Sequence, residues 1–238
     1  MSETKTIEAT EAIQKNTARE VLFFELETIA TTGRKAMFEA VQKVMKSKDI
    51  KVTMALFAKC GLTARPGGAI QAMIDNSGRN LSTGDQLADQ AENAMKKFFT
   101  DVAELNAALP ALIKAAQAKD IEVVAISAWP KEVAEALMQK LGLDELGVGL
   151  EALNCTEAVF PRADHWLRLL KKREQDTIPL IAIVSSHNAC RGALTAGATC
   201  IVVPDAYTSF EEFSGAKAVL DSLGDMKPKD LLDLVSRR

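Results

Sequence analysis

The sequence predicts an α/β protein: a Rossmann-like parallel sheet with an all-helical cap subdomain inserted after its first strand. Three observations carry this expectation. Four short runs of branched apolar residues are nearly continuous rather than alternating, the pattern of strands buried on both faces. Helical periodicity separates the later runs, as in βαβ units. The first run is followed by roughly ninety residues before the second, far more than a crossover needs, and their pattern is helical.

Taken in order, residues 1–18 are a polar leader without the apolar stretch of a secretory signal. The first strand is Val21-Leu22-Phe23-Phe24. The core is expected over 19–31 and 102–238, and the cap over 32–101. Within the cap, helices fit Arg34 to Lys48, Thr53 to Lys59, Gly68 to Asp75 and Asp85 to Phe99, with breaks at Gly61, Pro66-Gly67-Gly68 and Gly78. Eleven Lys or Arg stand against six Asp or Glu between Arg34 and Thr100. This local excess favours an anionic ligand over the strand ends, although solvated helix faces give the same count.

The second strand is Ile121 to Ile126. The helix after it, Pro130 to Leu141, places Val133, Ala134, Leu137 and Leu141 at helical spacing and stops at Gly142. A weaker strand is expected over Asn154 to Phe160, then a helix over Asp164 to Lys172. Leu180 to Val184 and Thr199 to Val203 are the remaining strands, with helices over Asn188 to Ala196 and Ser214 to Leu223.

Composition excludes several functions. The chain has 238 residues, 47% hydrophobic and 26% charged, with Lys+Arg 29 against Asp+Glu 32, so it carries no global positive field for nucleic acid or an anionic membrane. The longest apolar run, Ile178 to Val184, is far short of the ~20 residues that span a bilayer, and the expected location is cytoplasmic. Cys60, Cys155, Cys190 and Cys200 form no paired motif, and with two histidines in the chain they read as buried reduced thiols rather than a zinc site. No pattern specifies an oligomeric state.

Ligands of open α/β sheets bind beyond the carboxyl ends of the strands. There the sequence has Glu25-Leu26-Glu27, Ser127-Ala128-Trp129-Pro130 and Ser185-Ser186-His187-Asn188. Glu25 and Glu27 are a potential acid/base pair, with hydration at an open strand end as the alternative. The hydroxyl of Ser127 precedes a helix N-terminus, where such groups cap backbone donors or hold a phosphate. Arg162 and His187 are candidates to bind a ligand; the alternatives are a solvated charge and a turn residue. Trp129 fits a site wall or helix packing equally. Lys171-Lys172-Arg173 reads as a solvated helix end.

The order of these parts resembles the haloacid dehalogenase-like superfamily, in its branch of helical-cap phosphatases and β-phosphoglucomutase-like enzymes. Phe23-Phe24-Glu25-Leu26-Glu27 is similar to that family's opening hydrophobic-Asp-x-Asp strand. Ala125-Ile126-Ser127 and the following helix with Leu141-Gly142-Leu143 resemble its second motif. Phe160-Pro161-Arg162-Ala163-Asp164 falls where the family has Lys-Pro-x-Pro-Asp, and Ile183-Val184-Ser185-Ser186 where it has its metal-binding acids. The resemblance implies Glu25 at the nucleophile, Glu27 at the acid/base, Ser127 at the phosphate hydroxyl, Phe160 in place of the lysine and Val184-Ser185 in place of the metal carboxylates.

Only Ser127 keeps the family's residue. A glutamate pushes the reacting carboxylate out by roughly 1.5 Å, where about 0.5 Å matters. A serine hydroxyl does not neutralise a hard divalent cation. The resemblance therefore implies a phosphatase-like fold that has lost phosphoryl transfer, with Glu25, Glu27 and Ser127 as vestigial catalytic positions. Ser127, Arg162, Ser185, Ser186 and His187 are then candidates to bind a small anionic ligand, or the protein binds a partner. No metal or cofactor is expected on this reading. The alternative is a diverged phosphatase or phosphosugar mutase using magnesium.

Overall fold

The first apolar run lies at the centre of the sheet. In the computed structural model, which describes residues 20–79, 81–172 and 180–236, the strands are β1 (Val21–Glu25), β2 (Glu122–Ser127), β3 (Gly149–Ala152), β4 (Leu180–Val184), β5 (Thr199–Val202) and β6 (Ala218–Val219). Their order is β3-β2-β1-β4-β5-β6, and every pairing is parallel. Phe24 of β1 stands opposite Ala125 on one side and Ile183 on the other. The expected leader lies outside the described residues, as does Arg173. No helix among the described residues is long and apolar enough to cross a membrane.

The continuous apolar pattern of β1 has the physical cause expected of it. Leu22 and Phe24 point into one buried cluster, Val21 and Phe23 into the other, so neither face meets water. Phe23 packs edge-on against Trp166, 5.7 Å between centroids.

After β1 the chain makes a short helix α1 (Leu26–Ile29) and then enters the helical insert: α2 (Gly33–Lys46), α3 (Met54–Cys60), α4 (Pro66–Ser77) and α5 (Gly84–Lys97). Thr53 caps α3 by accepting from Leu56 N–H, and Pro66 opens α4. A wider π-helical turn, Phe98–Val102, leads out. Gly33 is required where it stands, because a Cβ there would meet the Glu27 carbonyl oxygen at 2.3 Å. The cap interior and one face of the sheet form a single apolar cluster. Phe38 and Phe57 of the cap meet Tyr207 of the core with centroids 5.4 and 5.5 Å away.

The core continues with α6 (Leu109–Gln117), α7 (Lys131–Lys140), α8 (Ala163–Lys172), α9 (His187–Thr195) and α10 (Pro228–Val235). Gly142 ends the α7 region with φ 64°.

Two expected elements are corrected. The strand expected over Asn154 to Phe160 is a loop: pairing with β2 takes the earlier segment Gly149–Ala152, and Asn154, at φ 46°, turns the chain out of the sheet. The helix expected over Ser214 to Leu223 is replaced by turns and β6, which completes the free edge of β5; Gly215 at φ 91° breaks helical geometry at its start. Three helices, α1, α6 and α10, lie where the sequence reading assigned none.

Candidate functional site at the strand ends

The cleft between cap and sheet is lined by Glu25 and Glu27 from the β1–α1 junction, Arg34 from α2, Trp129 after β2, and Ser186 and Glu211. Its volume is about 70 Å³, enough for water or a small ion with the cap in this position.

Glu25 is withdrawn from water, contrary to the alternative reading of an open strand end, and Glu27 is half-buried. Glu25 is 4% exposed. Its Oε2 accepts from the Ser185 backbone N–H at 2.8 Å, from the Thr28 hydroxyl at 2.8 Å and from the Ser185 hydroxyl. Burial raises its pKa above the ordinary carboxylate value, opposed by the Arg34 charge and by these hydrogen bonds. Glu27, half-buried, accepts from the Ser127 hydroxyl, whose oxygen accepts in turn from Trp129 N–H at 3.1 Å. Loss of hydration pushes Glu27 up to about 7; the Ser127 bond opposes the shift and the Glu25 charge adds to it.

Arg34 supplies the positive charge. Its side chain is 11% exposed and reaches three groups of the core. Nη1 donates to Asp205 Oδ2 at 2.8 Å and to the Ser185 carbonyl at 3.2 Å, and Nη2 donates to the Ser185 hydroxyl at 2.9 Å. Asp205 is itself oriented by Tyr207 N–H at 2.9 Å, and the Thr208 hydroxyl donates to the Ser185 carbonyl at 2.7 Å.

Of the residues singled out in the sequence, Glu25, Glu27, Ser127, Ser185 and Ser186 come together. Ser186 is committed as the N-cap of α9, accepting from Ala189 N–H, and the Glu211 carboxylate holds His187 N–H at 2.8 Å. The start of α9 is thus covered by a carboxylate of the chain.

Arg162 and His187 lie outside the cleft walls. The Arg162 guanidinium is engaged by Glu157 at 2.6 Å and Asp164 at 3.0 Å, and the His187 ring by the Glu212 carbonyl at 2.5 Å. Phe160 lines the cleft where the lysine was expected to be lost. Arg65, from the cap, stacks over Trp129 at 5.1 Å and pairs with Glu92 at 2.6 Å.

The sequence reading gave no role to Arg34, Asp205 or Glu211. Arg34 was visible only as one of eleven cap cations, since its partners lie 151 and 171 residues away. A second cluster, in which ligand-type atoms of Cys155, Glu157 and His165 lie within 4.8 Å of one another, was also missed. There Glu157 is paired with Arg162, and His165 Nδ1 accepts from Arg162 N–H at 3.0 Å.

A divalent cation in the cleft would need hard, anionic oxygens. Around the Arg34 guanidinium they are already in use: Glu25 Oε2 accepts three hydrogen bonds, and the Ser185 carbonyl and Asp205 Oδ2 accept from Arg34. With Arg34 in place, these oxygens do not fit such an ion.

No protein-family model matches the chain. Over 69 residues it is 42% identical to Protein CbbY of Cereibacter sphaeroides, a segment amounting to 28% of this chain and 30% of that relative. Solved structures extend the likeness to the whole fold. CbbY from Rhodobacter sphaeroides in complex with phosphate superposes with a TM-score of 0.71 and 18% identity, covering 87% of this chain and 96% of that one. A β-phosphoglucomutase from Clostridium difficile gives 0.74 at 13% identity, covering 91% and 97%. A protein described as a predicted phosphoglycolate phosphatase, from Haemophilus somnus, gives 0.72 at 13%, covering 93% and 100%. The chain thus shares the fold of these solved structures, and the fold is that of the superfamily the sequence resembles.

Proposed function

We propose that this protein keeps the phosphatase fold but does not transfer phosphoryl groups, and acts instead by binding a small ligand or a protein. One observation carries this reading: the Glu25 carboxylate, at the nucleophile's place, is turned onto Ser185 and Thr28 and held there by three hydrogen bonds. A nucleophile needs a free lone pair aimed at the phosphorus, and phosphoryl transfer depends on positioning and charge neutralisation acting together. Here one oxygen of the Glu25 carboxylate, Oε2, is engaged and fixes the group's orientation, Phe160 supplies no charge, and the cleft is lined by Glu27 and Glu211, which repel an incoming phosphate.

The runner-up reading, a diverged phosphatase, draws on Glu27. A carboxylic acid with a pKa of about 7 beside a serine hydroxyl has the properties of a general acid/base at neutral pH. A screen of phosphate monoesters with magnesium decides between the two. The expected result is no turnover above buffer for the wild type. Turnover of roughly 1 per second or faster, abolished by Glu25→Ala, would establish the phosphatase instead.

A further inference from the structure

The cation demand of this site is met by the chain itself. Arg34 lies among the oxygens that would otherwise surround a hard cation: the Ser185 carbonyl and hydroxyl and the Asp205 carboxylate, with Glu25 close enough to feel its charge. A guanidinium is permanently protonated and presents several N–H donors in a rigid fork, so it serves several acceptors at once. The position is built rather than incidental. Asp205 is oriented by Tyr207 N–H and Thr208, the Ser185 carbonyl accepts a second bond from Thr208, and Gly33 lets α2 start against the Glu27 carbonyl, placing Arg34 one residue later at the mouth of the sheet.

We propose that Arg34 occupies, as a fixed part of the protein, the place of a divalent cation between Glu25, Ser185 and Asp205, and that this same contact ties the cap to the core. The site is then charge-compensated without metal, and a metal site emerges only when the arginine is removed and an acid is restored. The proposal rests on reading this cleft as the family's site, but not on the loss of turnover.

The test is manganese binding followed by electron paramagnetic resonance, with thermal unfolding in magnesium or in chelator. It is applied to the full chain as wild type, Arg34→Lys, and Arg34→Gln combined with Ser185→Asp. Wild type and Arg34→Lys should take up no manganese at the site and unfold at the same temperature with magnesium as with chelator. The double variant should bind one manganese at least about tenfold more tightly than wild type and be stabilised by magnesium.

The proposal is overturned if wild type binds one manganese and Glu25→Gln abolishes it, because arginine and metal would then coexist. It is equally overturned if the double variant unfolds cooperatively yet binds no more manganese than wild type. Should the double variant not fold, the wild-type and Arg34→Lys measurements decide alone. Metal-free phosphatase turnover by the wild type would end the reading under Proposed function and leave this inference standing.

Discussion

Glu27, in the helix that follows β1, and Ser127, at the end of the adjacent strand β2, stand 100 residues apart and are joined by a hydrogen bond from the serine hydroxyl to the carboxylate. The bond lowers the glutamate's pKa, but burial outweighs it, and the group rests near 7 rather than near 4.5.

This predicts an unusual pH dependence of stability. Because the folded-state pKa is raised, the folded protein binds more protons than the unfolded chain between about 4.5 and 7, and stability falls as pH rises through that window. Up to roughly 3 kcal/mol is involved if the full shift is realised. Denaturant unfolding from about pH 5 to pH 8 should show the decline, and Glu27→Gln should flatten it. An unchanged slope in Glu27→Gln would assign the titration elsewhere.

Gly33→Ala should be strongly destabilising. Its Cβ would lie 2.3 Å from the Glu27 carbonyl oxygen, a backbone atom that cannot give way without shifting the β1–α1 junction. A loss of roughly 2 kcal/mol or more in denaturant unfolding is expected, against a few tenths for an exposed glycine-to-alanine change without strain.

Phe57→Ala tests whether cap and core form one cooperative unit. Phe57 is fully buried and contacts Phe38 and Tyr207 edge-on. A loss of roughly 3–5 kcal/mol in a single transition is expected. Two separate transitions by circular dichroism and tyrosine or tryptophan fluorescence would mean that the cap unfolds by itself.

Glu211→Gln should strengthen inorganic phosphate binding. The Glu211 carboxylate covers the α9 N-terminus through His187 N–H, so it competes with any anion for that donor and repels it. Calorimetric titration with phosphate should show an affinity gain of roughly fivefold or more, by removal of one like charge. Equal affinity in both proteins would place phosphate elsewhere.

The architecture was largely legible in the sequence because it is written in local patterns. β1, β2, β4 and β5 follow from unbroken apolar runs, and the cap from helical periodicity over an interval too long for a crossover. Where the reading failed, the deciding factor was not local. Ala218–Val219 became a strand because β5 had an open edge, and Gly149–Ala152, not the stretch after Asn154, lay in register with β2.

The site divides in the same way. The sequence by itself determined which residue types stand at the strand ends: Glu25 and Glu27, Ser127, and Ser185 and Ser186, with Phe160 nearby. Only the tertiary structure decided what those residues do to one another. It turned Glu25 onto Ser185 across 160 residues, brought Arg34 to Ser185 and Asp205, and left Arg162 and His187 to other partners. The physical reason is that a residue's chemistry is local, whereas its hydration, its charge partner and therefore its protonation depend on which distant segments the fold packs against it.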